Sequence, residues 1–187
     1  MNAFRHALIS AALLANAFTT AQAAGSLVIT PPAAAFNPGD SFALLVRGSG
    51  FTDNVVGGGF NLSFDPTVLA LTSVTVDTVV WEFISSPGSI DNAAGTLSDV
   101  FFNSFKAALP TGNFSIASLQ FTAKASGNSA VAMSDSVSFP FANDLAEVIT
   151  VGYQGATVGV SAVPEPQTWA MLMLGLASLG LLRRKVG

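Results

Sequence analysis

The sequence predicts an all-β fold, an antiparallel β-sandwich of the jelly-roll type, for the central part of the chain. Between residues 26 and 162, short runs of alternating apolar and polar residues are separated by Gly, Pro, Asn and Asp. Alternation gives a strand one apolar face that suits a core, and the separating residues favour turns. This region shows no helical period over ten or more residues. We therefore expect two sheets that pack face to face.

Three runs show the alternation most clearly, because apolar residues recur at every second position. They are Phe42–Arg47, Phe60–Phe64 and Leu119–Lys124. Further strands are predicted near Leu27–Thr30, Ala70–Val76, Thr96–Asn103, Ser129–Ser134 and Glu147–Val160. Asp65-Pro66 is expected to end one strand, and Gly57-Gly58-Gly59 is expected to form a turn or a bulge.

Composition narrows the class of protein. The chain has 187 residues, of which 50% are apolar and 10% are charged, so one core is expected. From Ala24 to Glu165 there are three basic and eleven acidic residues, a formal net charge of −8. Such a body would repel a phosphate backbone, so no nucleic-acid partner is predicted. The chain has no cysteine and one histidine, His6, which excludes thiolate sites and a serine–histidine triad in the body.

Residues 1–23 have the pattern of a secretory signal peptide. Arg5 and His6 form a short basic start, an apolar stretch follows, and Ala21 and Ala23 provide the small residues of a cleavage site. A buried helix is the alternative. We expect the mature chain to begin at Ala24.

The C-terminal end predicts a linker over residues 159–168 and a short transmembrane helix with a basic tail over residues 169–187. The uncharged run from Trp169 to Leu182 would rise about 21 Å as a helix, against a hydrocarbon core of roughly 30 Å. The run has no polar face, and a basic cluster, Arg183 to Lys185, follows it at once. These features favour a membrane segment over a buried helix, with the body outside the cytoplasm.

The order of motifs at this end resembles the PEP-CTERM sorting signal. Its elements are the short apolar run and the residues Val163, Pro164, Glu165, Pro166, Arg183 and Arg184. The resemblance implies export by a Gram-negative bacterium that makes exopolysaccharide, with recognition by a membrane-embedded exosortase. It also implies a transient stay in the inner membrane before release to the cell surface or extracellular matrix. A tail-anchored protein with a proline-rich linker is the alternative.

The body, residues 24–158, resembles a cohesin domain. The most specific segment is Gly58 to Leu69, which reads Gly-Gly-Phe-Asn-Leu-Ser-Phe-Asp-Pro-Thr-Val-Leu. Pro38 to Phe42, Leu119 to Lys124 and Met133 to Asp135 add to the likeness. Cohesins are related to some carbohydrate-binding modules and dock dockerin modules. This sequence contains no dockerin-like calcium repeat, so the resemblance implies a fold more than a partner.

The sequence offers little for catalysis, and we predict no catalytic residue and no enzyme. A glycosidase would need two placed carboxylates, but Asp40 and Asp65 stand in turn contexts that favour Asp locally. No cofactor is predicted. Calcium is the lesser alternative at three oxygen-rich loops, where solvated turns are favoured: Asp53-Asn54, Asp91-Asn92 and Asn143-Asp144.

Sugar binding would use exposed aromatic faces, and Trp81 and Tyr153 are the only Trp and Tyr of the body. Trp81 should share a strand face with Phe83, and a core role for it is favoured over a binding platform. Tyr153, between Gly152 and Gly155, could lie exposed near a bend, and a structural role is again slightly favoured over sugar binding. Phe101, Phe102 and Phe105 are expected to pack on the core, and no site is assigned to them.

These observations predict an exported, non-enzymatic surface or matrix protein that is sorted by an exosortase. Its sandwich is expected to bind a polysaccharide or another surface protein. A dedicated carbohydrate-binding module is the alternative, and a glycan hydrolase is a remote one.

Overall fold

The structure, a computed structural model, describes residues 23–30, 35–161 and 171–176. Twelve strands lie within these ranges. They are β1 Gly25–Thr30, β2 Ser41–Phe51, β3 Val55–Ser63, β4 Leu69–Val76, β5 Ile84–Ser86, β6 Ser89–Asp91, β7 Thr96–Asn103, β8 Gly112–Ala123, β9 Gly127–Asp135, β10 Ala142–Asn143, β11 Val151–Gln154 and β12 Ala156–Val160. The predicted all-β class is therefore confirmed.

The strands form a five-stranded and a seven-stranded sheet. The first has the order β11-β1-β2-β8-β4, and the second has the order β12-β9-β3-β7-β5, with β10 beside β3 and β6 beside β7. One pair departs from the antiparallel prediction, because β1 and β11 run parallel with Gly25 opposite Val151. The long connection after β9 brings the chain into the first sheet at the end where β1 also starts, so the two strands share a direction.

The predicted single strand over Glu147–Val160 is wrong. The chain forms β11 in one sheet and β12 in the other, and Gly155 lies between them. A Cβ on Gly155 would lie 2.4 Å from the Val131 carbonyl oxygen, so glycine is needed where the chain passes so close to β9. Apolar residues occupy odd positions over residues 149–153 and even positions over residues 156–160, so the alternation is interrupted at Gly155.

The core lies between the sheets and is rich in aromatic rings. Its largest fully buried side chains are Trp81, Phe60, Phe102 and Phe121. Burying one such side chain stabilises the fold by about 1.5–3 kcal/mol. The predicted turn at Asp65 is present: its carboxylate accepts hydrogen bonds from the Thr67 amide at 2.8 Å and hydroxyl at 2.6 Å.

The strands run between two ends of the sandwich. At one end, which we name the amino pole, Thr52 donates to the Ala24 carbonyl, and Phe51 pairs with Gly112. At the other, the carboxyl pole, Val160 pairs with Gly127. Strand β8 runs from the first pole to the second. Its 12 residues are separated by 11 steps of 3.4 Å, so the strand is about 37 Å long. The described body therefore begins at one pole and ends at the other.

The predicted signal-peptide residues up to 22 and the sorting motif at 163–166, 183 and 184 lie outside the described residues. The predicted membrane run is described only at residues 171–176, which form an exposed helical stretch. None of the helices in the described part of the chain has the length and apolar character that a membrane crossing requires. Ala23 is exposed, and Ala24 is half-buried immediately before β1.

Candidate functional site

An apolar groove crosses the outer face of the seven-stranded sheet near the amino pole. It has a volume of about 460 Å³ and lies between β5, β7 and the segment that precedes β10. Ile84, Phe101 and Phe139 contribute its largest side chains. The rings of Phe101 and Phe139 stack with centroids 4.3 Å apart and planes 24° apart. The groove is thus an open apolar surface outside the core.

Three consecutive glycines in β3 form a glycine floor, of which Gly57 and Gly58 line this groove and Gly59 lies against Phe139. A Cβ on Gly58 would lie 2.6 Å from the Phe141 ring, and one on Gly59 would lie 2.7 Å from Phe139 Cβ. The run forms no turn, since Gly57 to Gly59 pair in regular register with β7, but the pairing of β3 with β10 shifts register between Gly57 and Val55, so a bulge-type irregularity adjoins the run. The lack of side chains on the glycines lets residues 138–142 approach the sheet closely.

The groove continues at the amino pole into four exposed apolar side chains, which we name the apolar rim: Val79, Phe83, Ile84 and Phe105. Phe83 and Phe105 are 61% and 63% exposed, and their rings meet edge to face with centroids 4.5 Å apart. Ile84 belongs to both the rim and the groove. Since the two exposed rings contact each other, they form one contiguous patch.

Glu82 fixes the loop that carries the rim. Its carboxylate accepts hydrogen bonds from the Ser104 hydroxyl at 2.8 Å and from the Phe105 amide at 3.1 Å, and Lys106 Nζ lies 4.0 Å away. Lys106 also donates to the Val79 carbonyl. Loss of hydration opposes the charge on Glu82, but the hydrogen bonds and Lys106 outweigh it and hold its pKa below the ordinary value. The carboxylate is therefore charged at neutral pH and ties the two rim loops together.

The half of the same face nearer the carboxyl pole is polar. A depression of about 350 Å³ lies between β9, β3 and β7, and its outward residues are small and mostly polar: Asn61, Ser63, Thr96, Ser98, Ala132 and Ser134. No aromatic side chain lines this depression. We name this region the polar half.

A β-bulge separates the polar half from the groove. The register of β3 and β7 shifts between Phe60 and Leu62, and Asp99 adopts a φ of 55°. Asn61 holds the bulge by accepting from the Asp99 amide at 2.8 Å and donating to the Asp135 carbonyl at 2.8 Å. The Ser136 hydroxyl donates to the Asp99 carboxylate at 2.7 Å. These hydrogen bonds stabilise Asp99 in a backbone conformation that non-glycine residues seldom adopt.

The structure gives Trp81 a core position. It is 1% exposed, its indole Nε1 donates to the Ser115 carbonyl at 2.9 Å, and its ring lies 4.4 Å from that of Phe102. The expectation that Trp81 and Phe83 share a strand face is wrong, since both lie in the loop after β4 and only Phe83 is exposed. A buried ring has no free face for a sugar, so Trp81 supports the fold beneath the groove.

Tyr153 lies on β11 and is half-buried, rather than exposed near a bend. Its hydroxyl donates to the Asp135 carboxylate at 2.8 Å and thus links the two sheets. Burial raises the pKa of Tyr153, and the hydrogen bond and negative charge of Asp135 raise it further. Trp81 therefore packs in the core, whereas Tyr153 links the two sheets by a hydrogen bond.

The oxygen-rich loops use their side chains to close turns. Asn92 both accepts from and donates to the Leu71 backbone, and Asp91 accepts from the Ala93 and Ala94 amides. Asn54 donates to the Asp144 carboxylate at 2.9 Å. Within the residues that the structure describes, no three His, Cys, Asp or Glu side chains are grouped as metal ligands would be.

Sequence reasoning missed the groove and the rim. Strand alternation could have signalled that Phe101 and Phe102 face opposite sides of the sheet, so that one of them lies outside the core. Phe102 is buried, while Phe101 lines the groove and Phe105 lies on the rim. Phe139 carries no such signal, because its position depends on its loop crossing a glycine floor.

Two segments of the chain match known protein families. Residues 26–166 match the family model of the cohesin domain, and residues 162–185 match that of the PEP-CTERM protein-sorting motif. No match was found among curated proteins.

Several solved cohesins have the same fold. A type I cohesin from Clostridium thermocellum, in complex with a dockerin, has a TM-score of 0.62 and 12% identity over 77% of this chain and 97% of that one. The sixth cohesin of Acetivibrio cellulolyticus scaffoldin B, also in complex with a dockerin, has a TM-score of 0.60 and 20% identity over 73% and 99%. A non-cellulosomal cohesin from Archaeoglobus fulgidus has a TM-score of 0.59 and 13% identity over 80% and 98%.

At these identities the likeness to solved structures supports the fold, and the family match covers most of the chain. The two matches overlap over residues 162–166, shortly after the last strand, β12, ends at Val160. The protein thus belongs to the cohesin family and bears a PEP-CTERM sorting motif at its C-terminal end.

Proposed function

We propose that this protein is an exported, non-enzymatic protein of the cell surface or extracellular matrix, and that its sandwich binds another protein through the apolar groove. The sorting motif implies an exported protein that is processed by an exosortase. Cohesin domains are non-catalytic interaction modules. The observation that carries the proposal is the open groove of about 460 Å³ with its exposed apolar rim. A contiguous exposed apolar surface is typical of a protein-interaction site.

The chemistry of the groove favours a polypeptide over a sugar as the ligand. Sugar sites combine exposed aromatic faces with convergent polar groups, whereas the largest groove side chains are apolar. Trp81 is buried, so the rings open to a polysaccharide are those of Phe101 and Phe139 in the groove and those of Phe83 and Phe105 on the rim. Polysaccharide therefore stays the alternative ligand, and the same experiment distinguishes it.

The test compares two serine-to-tryptophan variants of the mature protein. Ser138 is exposed and lines the groove, so Ser138→Trp should obstruct it without changing the core. Ser49 is exposed on the five-stranded sheet, so Ser49→Trp is the matched control. Proteins and polysaccharides of the host's extracellular fraction would be bound to each form, cross-linked and identified by mass spectrometry.

We expect a protein that is retained by the wild type and by Ser49→Trp, and lost with Ser138→Trp. Equal retention by all three forms would exclude the groove as the binding site. Retention of polysaccharide alone, sensitive to Ser138→Trp, would replace the protein partner with a sugar.

Maturation is part of the same proposal. We propose removal of residues 1–23 and processing of the tag near Pro164 to Pro166, so that the sandwich is released from the inner membrane. Intact mass measurement of the extracellular and membrane fractions tests this step. A species from Ala24 to Pro164–Pro166 supports release, whereas a membrane species that keeps Arg183 and Arg184 shows a lasting anchor.

A further inference from the structure

We propose that the amino pole, with its apolar rim and surrounding carboxylates, docks a positively charged segment of another polypeptide that also carries apolar side chains. This inference rests on the proposed function and names the chemistry of the partner. It adds the rim to the groove as a second part of the contact surface.

The exposed apolar side chains of the rim adjoin one another. Single exposed apolar residues are ordinary on a protein surface, whereas adjoining ones mark interfaces. Phe83 and Phe105 contact each other and are more than half exposed. Ile84 joins them to the groove, and Val79, 78% exposed, lies in the loop that Lys106 ties to the rim. A partner in the groove would therefore reach these rings without leaving the apolar surface.

Carboxylates are in excess at this pole. The backbone amide of Asp144 donates to Asn54 in the loop between β2 and β3. Four acidic residues lie in the loops of this pole: Asp53, Glu82, Asp144 and Glu147. Among the described residues, the cation in these loops is Lys106, and it is engaged with Glu82 and Val79.

Charge complementarity selects the partner. A negative pole attracts a cationic segment and repels anionic surfaces, and such steering raises association rates. A second copy of the body would bring the same carboxylates to the contact, and an anionic glycan or lipid headgroup would meet them directly. A basic segment with apolar anchors satisfies both the charge and the exposed rings.

The position of the sorting motif adds an orientation to this surface. The chain leaves the sandwich after Val160 at the carboxyl pole, about 37 Å from the amino pole by the length of β8. The apolar rim therefore faces away from the end that bears the tag, where a partner in solution or on an opposing surface can reach it.

The test uses the mature protein and three dye-labelled peptides of equal length. One peptide is built of Lys and Leu, a second replaces Leu with Ser, and a third replaces Lys with Glu. Fluorescence anisotropy should show that the Lys/Leu peptide binds the wild type at least about tenfold more tightly than either of the others. The Lys/Ser peptide lacks the apolar side chains, and the Glu/Leu peptide lacks the positive charge.

Variants then locate the peptide. The double variant Phe83→Ser/Phe105→Ser should weaken Lys/Leu binding by about tenfold or more, and Glu82→Gln should weaken it by about threefold and flatten its salt dependence. Leu45→Ser is the matched control, since Leu45 is 37% exposed on the other sheet, and it should leave the affinity unchanged. Unchanged melting temperatures establish that the fold is intact.

Three results overturn the inference. The first is that the Lys/Ser peptide binds as tightly as the Lys/Leu peptide, and the second is that the double variant keeps full affinity. The third is a dimer of the wild type in sedimentation that the double variant abolishes, because a second copy of the chain would then be the occupant. The proposed function is judged separately with the host partner. If Ser138→Trp loses that partner while Phe83→Ser/Phe105→Ser keeps it, the groove stands and the rim inference fails.

Discussion

The two halves of one sheet face differ in chemistry although the same strands build them. Toward the amino pole, β3 and β7 present Gly57, Gly58 and Phe101 beside the segment that precedes β10. Toward the carboxyl pole, the same strands present Asn61, Ser63 and Ser98. The difference shows that one sheet face can carry an apolar groove over half its length while the other half stays polar.

The bulge at Asp99 makes this division possible. An extra residue in one strand reverses the sides to which later side chains point. With Asp99 at a φ of 55° and Asn61 bonded to its amide, Phe101 points outward while Val100 and Phe102 are buried. The boundary is therefore built from hydrogen bonds, and the surfaces on either side of it follow from the register.

The largest effect is expected beneath the groove. Trp81→Ala removes the biggest buried side chain on the groove side and should lower the free energy of unfolding by about 3–5 kcal/mol. Denaturant unfolding measures this loss, and Trp81→Phe should lose less because it keeps a ring against Phe102. A loss below about 1 kcal/mol would mean that the ring is not packed in the core.

The glycine floor should give the next largest effect. A Cβ on Gly59 would lie 2.6 Å from the Val100 carbonyl and 2.7 Å from Phe139, so Gly59→Ala should cost about 1–3 kcal/mol and displace the crossing segment. Gly159→Ala is the control, because its Cβ would meet only the Asn128 side chain at 3.2 Å. Equal stabilities of the two variants would contradict the close approach.

The bulge boundary should show a smaller loss. Asn61→Ala removes the acceptor of the Asp99 amide and the donor to Asp135, and we expect a loss of about 1–2 kcal/mol. Ser63→Ala on the same strand should change stability by less than about 0.5 kcal/mol, because that side chain is exposed. Amide hydrogen exchange at β7 should accelerate in the first variant alone. Unchanged exchange there would show that the bulge holds without Asn61.

The link between the sheets gives the smallest effect at neutral pH. Tyr153→Phe removes the hydrogen bond to Asp135 and should cost about 0.5–1.5 kcal/mol. Because the folded pKa of Tyr153 is raised, the wild type holds this proton more tightly when folded. Its stability should fall as pH rises above the ordinary value of 10.0, whereas Tyr153→Phe should show a flatter alkaline profile.

The chain contains one tyrosine, so phenolate absorbance reports this group alone. A titration midpoint at the ordinary value in the folded protein would contradict the burial and the hydrogen bond of Tyr153.

The sequence allowed prediction of the fold class because alternation in runs such as Phe42–Arg47 depends only on which side chains face the core. The passage of the chain from β11 to β12 appears in that pattern only as a shift of the apolar positions at Gly155, and such a shift does not distinguish a bulge within one strand from a crossing between two sheets. A core role was favoured for Trp81 and its ring is buried, but the predicted strand face shared with Phe83 was wrong because both residues lie in a loop. The groove depends on a long-range contact between the glycine run and Phe139, and no local pattern encodes it.

The opposite positions of the two poles have a mechanical consequence. A pull on the tag enters the sandwich through β12, whose five residues pair with β9 along the strand axis. Antiparallel hydrogen bonds lie perpendicular to the strands, so this load shears the whole ladder at once. A partner held at the amino pole would pull in the opposite direction along the same axis. While the tag is still attached, such a pair of forces would load the molecule in the direction in which a β-ladder resists rupture most strongly.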